Sequence, residues 1–260
     1  MISQEARDLF AANVKAMTAG DAAHLASQLL PDDVSRLKDI AYVHDGDAAH
    51  LLDIYTLADA EEGAALPVIV DFHGGGLYYG NKENNECRDM LLARQGFAVV
   101  NANYRLVPSV SFPAQLADAM AVLDWIRDHG AEYGLDAERV CVTGDSAGGA
   151  LALWQSGIEV HALVVTSGMF RLQGGVHANA LSYYMEGYLQ TPADHIKVNP
   201  YLDLDKLIVD GDVPPIYMIT SVEDFIADNT YELARILHAR HKDHAMSVWP
   251  KGRERVLGHV

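Results

Sequence analysis

Two hydrophobic periods alternate along the chain. Residues 5–30 place Leu9, Phe10, Val14, Met17, Leu25, Leu29 and Leu30 at helical spacing. The pattern breaks at Gly20-Asp21, where Asp21 suits the cap of a second helix, so two short amphipathic helices are expected. From 40 to 57 the pattern turns strand-like around Asp45-Gly46-Asp47, which predicts a hairpin at a sheet edge. A polar loop over 59–65 leads to 67–72, a short apolar run of the kind shown by a strand buried on both faces. A helix over 84–95 and a strand over 97–104 follow, then a helix that opens at Phe112-Pro113 and runs to about Arg127, with Pro113 suited to its first turn. Leu116, Met120, Leu123 and Ile126, with Ala119 between them, form its apolar stripe.

Gly134-Leu135-Asp136 ends that helix before a strand near Val140, and further strands are expected at 160–166, 215–220 and 246–249, with a helix after Glu223-Asp224 reaching about His238. Strands alternating with helices from 67 to 155 predict an α/β fold with a parallel sheet and right-handed crossovers. Residues 167–212 are too long for a plain connection and carry Tyr183, Tyr184, Tyr188 and Tyr201. They read as a lid or cap insertion with at least one helix over 180–189, although a purely structural excursion would use aromatics in the same way.

Chemistry enters at Gly144-Asp145-Ser146-Ala147-Gly148, where an apolar β-branched run gives way to helix formers. This is the G-x-S-x-G pattern, in which a strained strand-to-helix turn lifts the Ser hydroxyl clear of the sheet. A side chain at 144 or 148 is expected to collide with the neighbouring strand or helix, and Ser146 is expected at a helix N-terminus, where free N–H groups favour developing negative charge. A Gly-rich turn without chemistry would show the same five residues, so context decides. His73-Gly74-Gly75-Gly76 directly follows a buried strand. Consecutive glycines leave backbone N–H groups unshielded, as an oxyanion hole requires. A Ser hydroxyl needs a His to take its proton, and that imidazolium needs a carboxylate to orient and stabilise it.

Together these residues resemble the hormone-sensitive-lipase-like branch of the α/β-hydrolases, bacterial esterases with a His-Gly-Gly-Gly loop upstream of a Gly-Asp-Ser-Ala-Gly-Gly elbow. His73 to Gly76, Tyr104-Arg105-Leu106 with Pro108, Phe112-Pro113 with Asp118, Trp125, and Gly144 to Gly149 fall in the family's order and spacing. The resemblance implies an α/β-hydrolase fold over 1–260, a mostly parallel sheet flanked by helices. It also implies cap elements near 1–38 and, after the sixth strand, near 170–212. It implies Ser146 as nucleophile and an oxyanion hole from the N–H groups of Gly75, Gly76 and Ala147. Asp224 lies in a stretch similar to the family's Asp-x-Leu-x-Asp, with Glu223 and Asp228 as neighbouring acids, and His259 lies in a region resembling Gly-x-x-His-x-Phe. His73 matches a His that holds the loop by hydrogen bonding. His241 and His244 are fallback bases, but the polar run from His238 to His244 is more simply a solvated helix end, and the same holds for a metal there. The chain departs from the family at Ser109, where relatives often carry Glu; the Phe and closing helix that follow the family's His would fall after Val260, the last residue given.

The expected activity is serine carboxylesterase action on small, largely apolar esters, with Tyr78, Tyr79, Tyr183 and Tyr184 lining the acyl and alcohol pockets. An arylformamidase-type amide hydrolase would use the same groups. A non-catalytic small-molecule receptor, of the kind plant gibberellin receptors represent, would follow if His259 were not held in place.

Composition narrows the partners. At 260 residues, with 50% hydrophobic and 21% charged, the chain suits one large α/β domain. A formal charge of −17 disfavours nucleic acid and anionic membranes. No apolar stretch is long enough to span a bilayer, and residues 1–8 lack a basic segment before an apolar one, so a cytoplasmic location is expected. Cys87 and Cys141 suit reduced, packed thiols. A small-molecule ester is the expected partner, no cofactor or metal is expected, and a homo-oligomer stays open.

Overall fold

Continuous apolar runs become the middle of a sheet because both faces there must be covered. The computed structural model describes residues 2–61, 63–154, 160–170, 181–196, 203–210, 212–252 and 259. Among these, β1 (Val34–Ala41), β2 (Leu51–Leu57), β3 (Leu66–Phe72), β4 (Ala98–Ala102), β5 (Leu135–Asp145), β6 (Ala162–Thr166), β7 (Ile216–Ser221) and β8 (His244–Trp249) form one sheet. The order is β1-β2-β4-β3-β5-β6-β7-β8. β2 runs antiparallel to both β1 and β4, and every other neighbouring pair is parallel. The helices include α1 (Gln4–Ser27), α2 (Glu86–Ala93), α3 (Pro113–His129), α4 (Ala147–Trp154), α5 (Leu181–Tyr188), α6 (Leu204–Asp210) and α7 (Ala227–Ala239).

Alternation along each strand divides the core in two. Val68, Val70 and Phe72 join the larger cluster with Leu123 and Ile126 of α3 and Leu151 of α4. Ile69 of β3 and Val99 of β4 face the other way, onto Met90 and Ala93 of α2. Each of these large side chains contributes roughly 1.5–3 kcal/mol by leaving water.

Three expectations need correction. The segment over 5–30 is one helix, α1, not two: a Cβ at Gly20 would meet nothing, so this Gly marks no turn, and its helix cost of about 1 kcal/mol is outweighed by good helix formers around it. Asp21 caps nothing; it reaches across to Tyr79 and Asn84. The hairpin's first strand begins at Val34, so residues 34–38 belong to the sheet and not to a cap. Its charged, exposed face suits an edge strand. Met120 points to solvent, 46% exposed, and Val122 takes its place in the buried stripe of α3.

The hairpin around Asp45-Gly46-Asp47 forms as expected. Cys87 and Cys141 are free thiols, and burial pushes Cys141 up to about 11. Much of 170–212 lies outside the described residues, Tyr201 included; the expected helix there is α5. No helix among the described residues is long and apolar enough to cross a membrane.

Between β3 and α2 lies a buried ionic group. Arg88 contacts Asp71 on β3, Asp89 beside it on α2 and Asp145 at the end of β5, while Asp71 and Asp89 are fully buried. Burial raises Asp71, and it raises Asp89 well above the ordinary carboxylate range, with the Asp71 charge adding to the effect. The folded protein therefore holds the Asp89 proton to higher pH than the unfolded chain does. The stability this provides is present below the ordinary carboxylate range and is lost as pH rises through the raised folded value. Asp89→Asn, which keeps the shape and removes the titration, is expected to flatten that decline. Thermal melts should show the variant more stable than the parent at pH 8 by about 1 kcal/mol, or about 2–4 °C, with the gap closing by pH 4.

Candidate active site

β3 and β5 lie side by side and parallel, with Phe72 opposite Gly144 at their C-terminal ends. From β3 the chain crosses to β4 on one side and later returns as β5 on the other. Loops diverge at such a switch point and leave a crevice beyond the strand ends, where α/β sheets bind ligands. Two segments leave the sheet there: the 73–80 loop after β3 and the turn at Ser146 after β5.

Ser146 has φ of 51°, the left-handed region that a side chain disfavours. Its amide donates to the Thr166 carbonyl at 2.9 Å, and its carbonyl accepts from the amides of Met169 at 2.8 Å and Ala150 at 3.3 Å. The surroundings therefore hold the strained turn. A Cβ on Gly148 would lie 1.8 Å from the Phe72 carbonyl oxygen, and one on Gly144 would lie 2.3 Å from the Gly148 carbonyl carbon. Both collisions match the steric expectation.

The structure brings Ser146, His259 and Asp224 into one line. His259 Nε2 is 2.7 Å from Ser146 Oγ, and His259 Nδ1 is 2.9 Å from Asp224 Oδ1. A carboxylate can only accept, so Nδ1 carries the hydrogen and Nε2 presents its lone pair to the Ser hydroxyl. Buried Asp224 is fixed in turn: Thr220 Oγ1 donates to Oδ2 and the Ile226 amide to Oδ1, each at 3.0 Å. Glu223 instead accepts from the Gly252 amide at 3.1 Å, and Asp228 sits in the first turn of α7, where the helix dipole favours it. His238 and His244 pack ring against ring at 6.1 Å, and His244 Nδ1 donates to the Lys242 carbonyl at 2.8 Å. Among the described residues no group of three or more His, Cys, Asp and Glu could hold a metal ion.

Phe225 escapes sequence reasoning. Its ring is 67% exposed yet lies 4.7 Å from the His259 ring, tilted by 58°. The one available signal is a large aromatic directly after Asp224, at a helix start where a polar residue is usual.

The 73–80 loop is folded tightly. Gly75 has φ of 100°, and a Cβ there would lie 2.1 Å from the Tyr79 carbonyl oxygen. Its carbonyl accepts from the amides of Tyr78 at 3.1 Å and Tyr79 at 3.0 Å, whereas the amides of Gly75, Gly76 and Ala147 donate to no acceptor among the described residues. His73 is built into the loop. Its ring stacks on Tyr104 at 4.3 Å, Nδ1 donates to the Gly74 carbonyl at 2.7 Å, and burial lowers its pKa so that it stays neutral. Tyr104 Oη donates to the His73 carbonyl and Tyr188 Oη to the Gly76 carbonyl, both at 2.7 Å, so α5 braces the same loop. Tyr188 was visible in the sequence only as one cap aromatic among several.

The segment after β4 is pinned by Arg105, whose Nε and Nη2 grip the Asp118 carboxylate on α3. Val107 in that segment donates to the Leu77 carbonyl at 2.9 Å, tying it to the 73–80 loop. Beside Ser146, the Asp145 carboxylate accepts from Asn85 Nδ2 at 3.0 Å and Arg88 Nη1 at 3.3 Å.

Of the four expected lining tyrosines, Tyr78 and Tyr79 face a cavity of about 420 Å³ with Val14, Asp21, Leu25 and Leu106. Tyr79 also faces one of about 360 Å³ that touches Gly74, Gly75 and Asp145. Half-buried Tyr183 lines neither, and the Tyr184 side chain lies outside the described residues.

Sheet order, switch-point crevice and strained strand-turn-helix at Ser146 together define an α/β-hydrolase. Comparison with known proteins agrees. The BD-FAE family model matches residues 52–176. The chain is 38% identical over 101 residues to esterase LipI of Mycobacterium tuberculosis, covering 38% of this chain and 31% of LipI. It is 26% identical over 220 residues to the acetyl esterase of Salmonella schwarzengrund, covering 76% of this chain and 68% of that protein. Thus it spans about a third of LipI and about two thirds of the acetyl esterase. Among solved structures, esterase B from Lactobacillus rhamnosis superposes with a TM-score of 0.87 at 25% identity, covering 97% of this chain and 87% of that one. In fold and in sequence the chain is thus similar to esterases of the α/β-hydrolase fold, in line with the resemblance to the hormone-sensitive-lipase-like branch.

The contact between α4 and the end of β3 leaves no room for one added carbon. Gly148→Ala is expected to cost more than about 3 kcal/mol, because the obstruction is backbone and cannot rotate away. Urea unfolding should show a lower midpoint or no cooperative transition, whereas Gly20→Ala, where a Cβ meets nothing, should hold or raise the midpoint.

Proposed function

We propose that the chain is a serine carboxylesterase that cleaves small, largely apolar esters through an acyl-enzyme. The observation that carries this is the unbroken line from Ser146 Oγ through His259 to Asp224, beside three amides without an internal acceptor. Ser146 Oγ attacks the ester carbonyl carbon as its proton passes to His259 Nε2. Asp224 holds the resulting imidazolium through Nδ1–H. The carbonyl oxygen, now an oxyanion, takes hydrogen bonds from the N–H groups of Gly75, Gly76 and Ala147; their donors are backbone, so they need no reorganisation as charge develops. Collapse breaks the bond to the alcohol oxygen, which leaves with the proton from His259. Water then repeats the sequence on the acyl-enzyme and frees the acid and Ser146.

Similarity to the acetyl esterase, and to esterase B as solved with a C4-C4 tributyrin phosphonate, supports short acyl groups. The doubly hydrogen-bonded His259 supports turnover over a receptor-like role.

Hydrolysis of p-nitrophenyl acetate, butyrate and octanoate tests the reading. The parent chain should turn over the shorter esters fastest. Ser146→Ala and His259→Ala should each lower kcat by about 10⁴–10⁶-fold, and Asp224→Asn by about 10⁴-fold. Ester cleavage that survives Ser146→Ala would overturn the assignment. Faster cleavage of formanilide than of phenyl acetate would redirect it to amides.

A further inference from the structure

The inward stripe of α1 reads Phe10, Val14, Met17, Asp21 and Leu25, so one carboxylate interrupts an apolar face. The two ends of the helix are held differently. Near its start, Phe10 is buried against Tyr78 at 5.3 Å and Tyr188 at 6.4 Å, over the space left by Gly187, and the Ser3 amide donates to Glu186 at 2.9 Å. From Thr18 onward no residue of α1 is buried. Beneath that half lie the two cavities of about 420 and 360 Å³, which share Asp21, Leu25, Tyr79, Gly80 and Asn84 in their walls. Spanning this gap, Asp21 Oδ2 accepts from Tyr79 Oη at 2.9 Å and from Asn84 Nδ2 at 3.1 Å.

Both donors belong to the site's own framework. The Tyr79 amide donates to the Gly75 carbonyl at 3.0 Å, one turn from the proposed oxyanion donors. Asn84 stands on a short turn tied to β4, where the Lys82 amide donates to Asn103 and Asn101 donates to the Lys82 carbonyl, both at 2.7 Å. Reaction geometry points the same way. His259 must protonate the departing alcohol oxygen, so the alcohol arm lies on its side and the acyl arm extends away from it. The smaller cavity includes neither Ser146 nor His259 in its walls but touches Gly74, Gly75, which is one of the proposed oxyanion donors, and Asp145, which precedes Ser146. It therefore adjoins the nucleophile on the side of the oxyanion loop, where the acyl arm would extend.

We propose that Asp21 is a specificity-determining latch: its two hydrogen bonds hold the C-terminal half of α1 down over the acyl cavity and so set the longest acyl chain the site accepts. This rests on the esterase reading. A chain too long for the cavity must lift α1 and break both bonds, whereas an acetyl or butyryl group need not.

The test uses the full chain with p-nitrophenyl octanoate and acetate, comparing kcat/KM ratios among the parent, Asp21→Ala, Asp21→Asn and Asn84→Ala. Asp21→Ala should raise the octanoate-to-acetate ratio at least fivefold. Asp21→Asn keeps an acceptor oxygen for both donors and should stay within twofold of the parent. Asn84→Ala, which removes one of the two bonds from the body side, should fall between them. An unchanged ratio in Asp21→Ala, or an equal rise in Asp21→Asn, would overturn the latch. Amide hydrogen exchange on the ester-free protein separates this from failure of the esterase reading. Residues 14–27 should exchange faster in Asp21→Ala and as in the parent in Asp21→Asn. Equal exchange in all variants overturns the latch even if esters are cleaved, whereas the predicted exchange pattern without ester cleavage in the parent keeps the two-bond clamp on α1 but sinks the esterase reading and, with it, the role in acyl length.

Discussion

One backbone approach governs the site: the Phe72 carbonyl at the end of β3 occupies the space that any side chain at 148 would need. With α4 pressed so closely onto β3, the chain leaving β5 has room only for a sharp turn, and Ser146 takes the left-handed conformation at its apex. Such a conformation costs about 1–3 kcal/mol and persists only where the surroundings over-determine it. Three backbone hydrogen bonds, from 146 to 166 and from 150 and 169 to 146, supply that constraint. The same approach sets the start of the 73–80 loop against the turn, since a Cβ on Gly148 would also lie 2.7 Å from the His73 carbonyl oxygen and one on Gly74 would meet Asp145.

Around this fixed point the remaining groups are coupled through the loop. α5 reaches it through Tyr188, α1 through Asp21 and Tyr79, and the segment after β4 through Tyr104 and Val107. These elements and the 73–80 loop are therefore one hydrogen-bonded unit. Behind the elbow, Asp145 shares Arg88 with Asp71 and Asp89, three carboxylates against one guanidinium. Burial answers the excess charge by keeping Asp89 protonated far above its ordinary range. An arrangement of this kind stabilises less than its contacts imply, because desolvation offsets the attraction.

Legibility in the sequence follows how locally each feature is determined. β3, β4 and β5 were readable because burial on both faces writes an uninterrupted apolar run. β1 was half hidden because an edge strand carries Ser35, Arg36, Lys38 and Asp39 toward water. Gly20 misled because glycine signals a break only where the backbone needs one, and here the helix continues past it. The residues at the candidate site, Ser146 and the glycines at 74–76, announced themselves through short motifs, since strained turns admit few residue types. Phe225, Tyr188 and Asp21 did not: each acts through a partner distant in sequence, and nothing in its own neighbourhood encodes that partner.

The most direct test of the central claim, that a strained turn presents an activated Ser146, is covalent trapping. Incubation with a fluorophosphonate, followed by digestion and mass spectrometry, should place one phosphonyl adduct on Ser146, forming at least 10³-fold more slowly in His259→Ala. An adduct on another serine, or equal labelling of Ser146 with and without His259, would contradict the account.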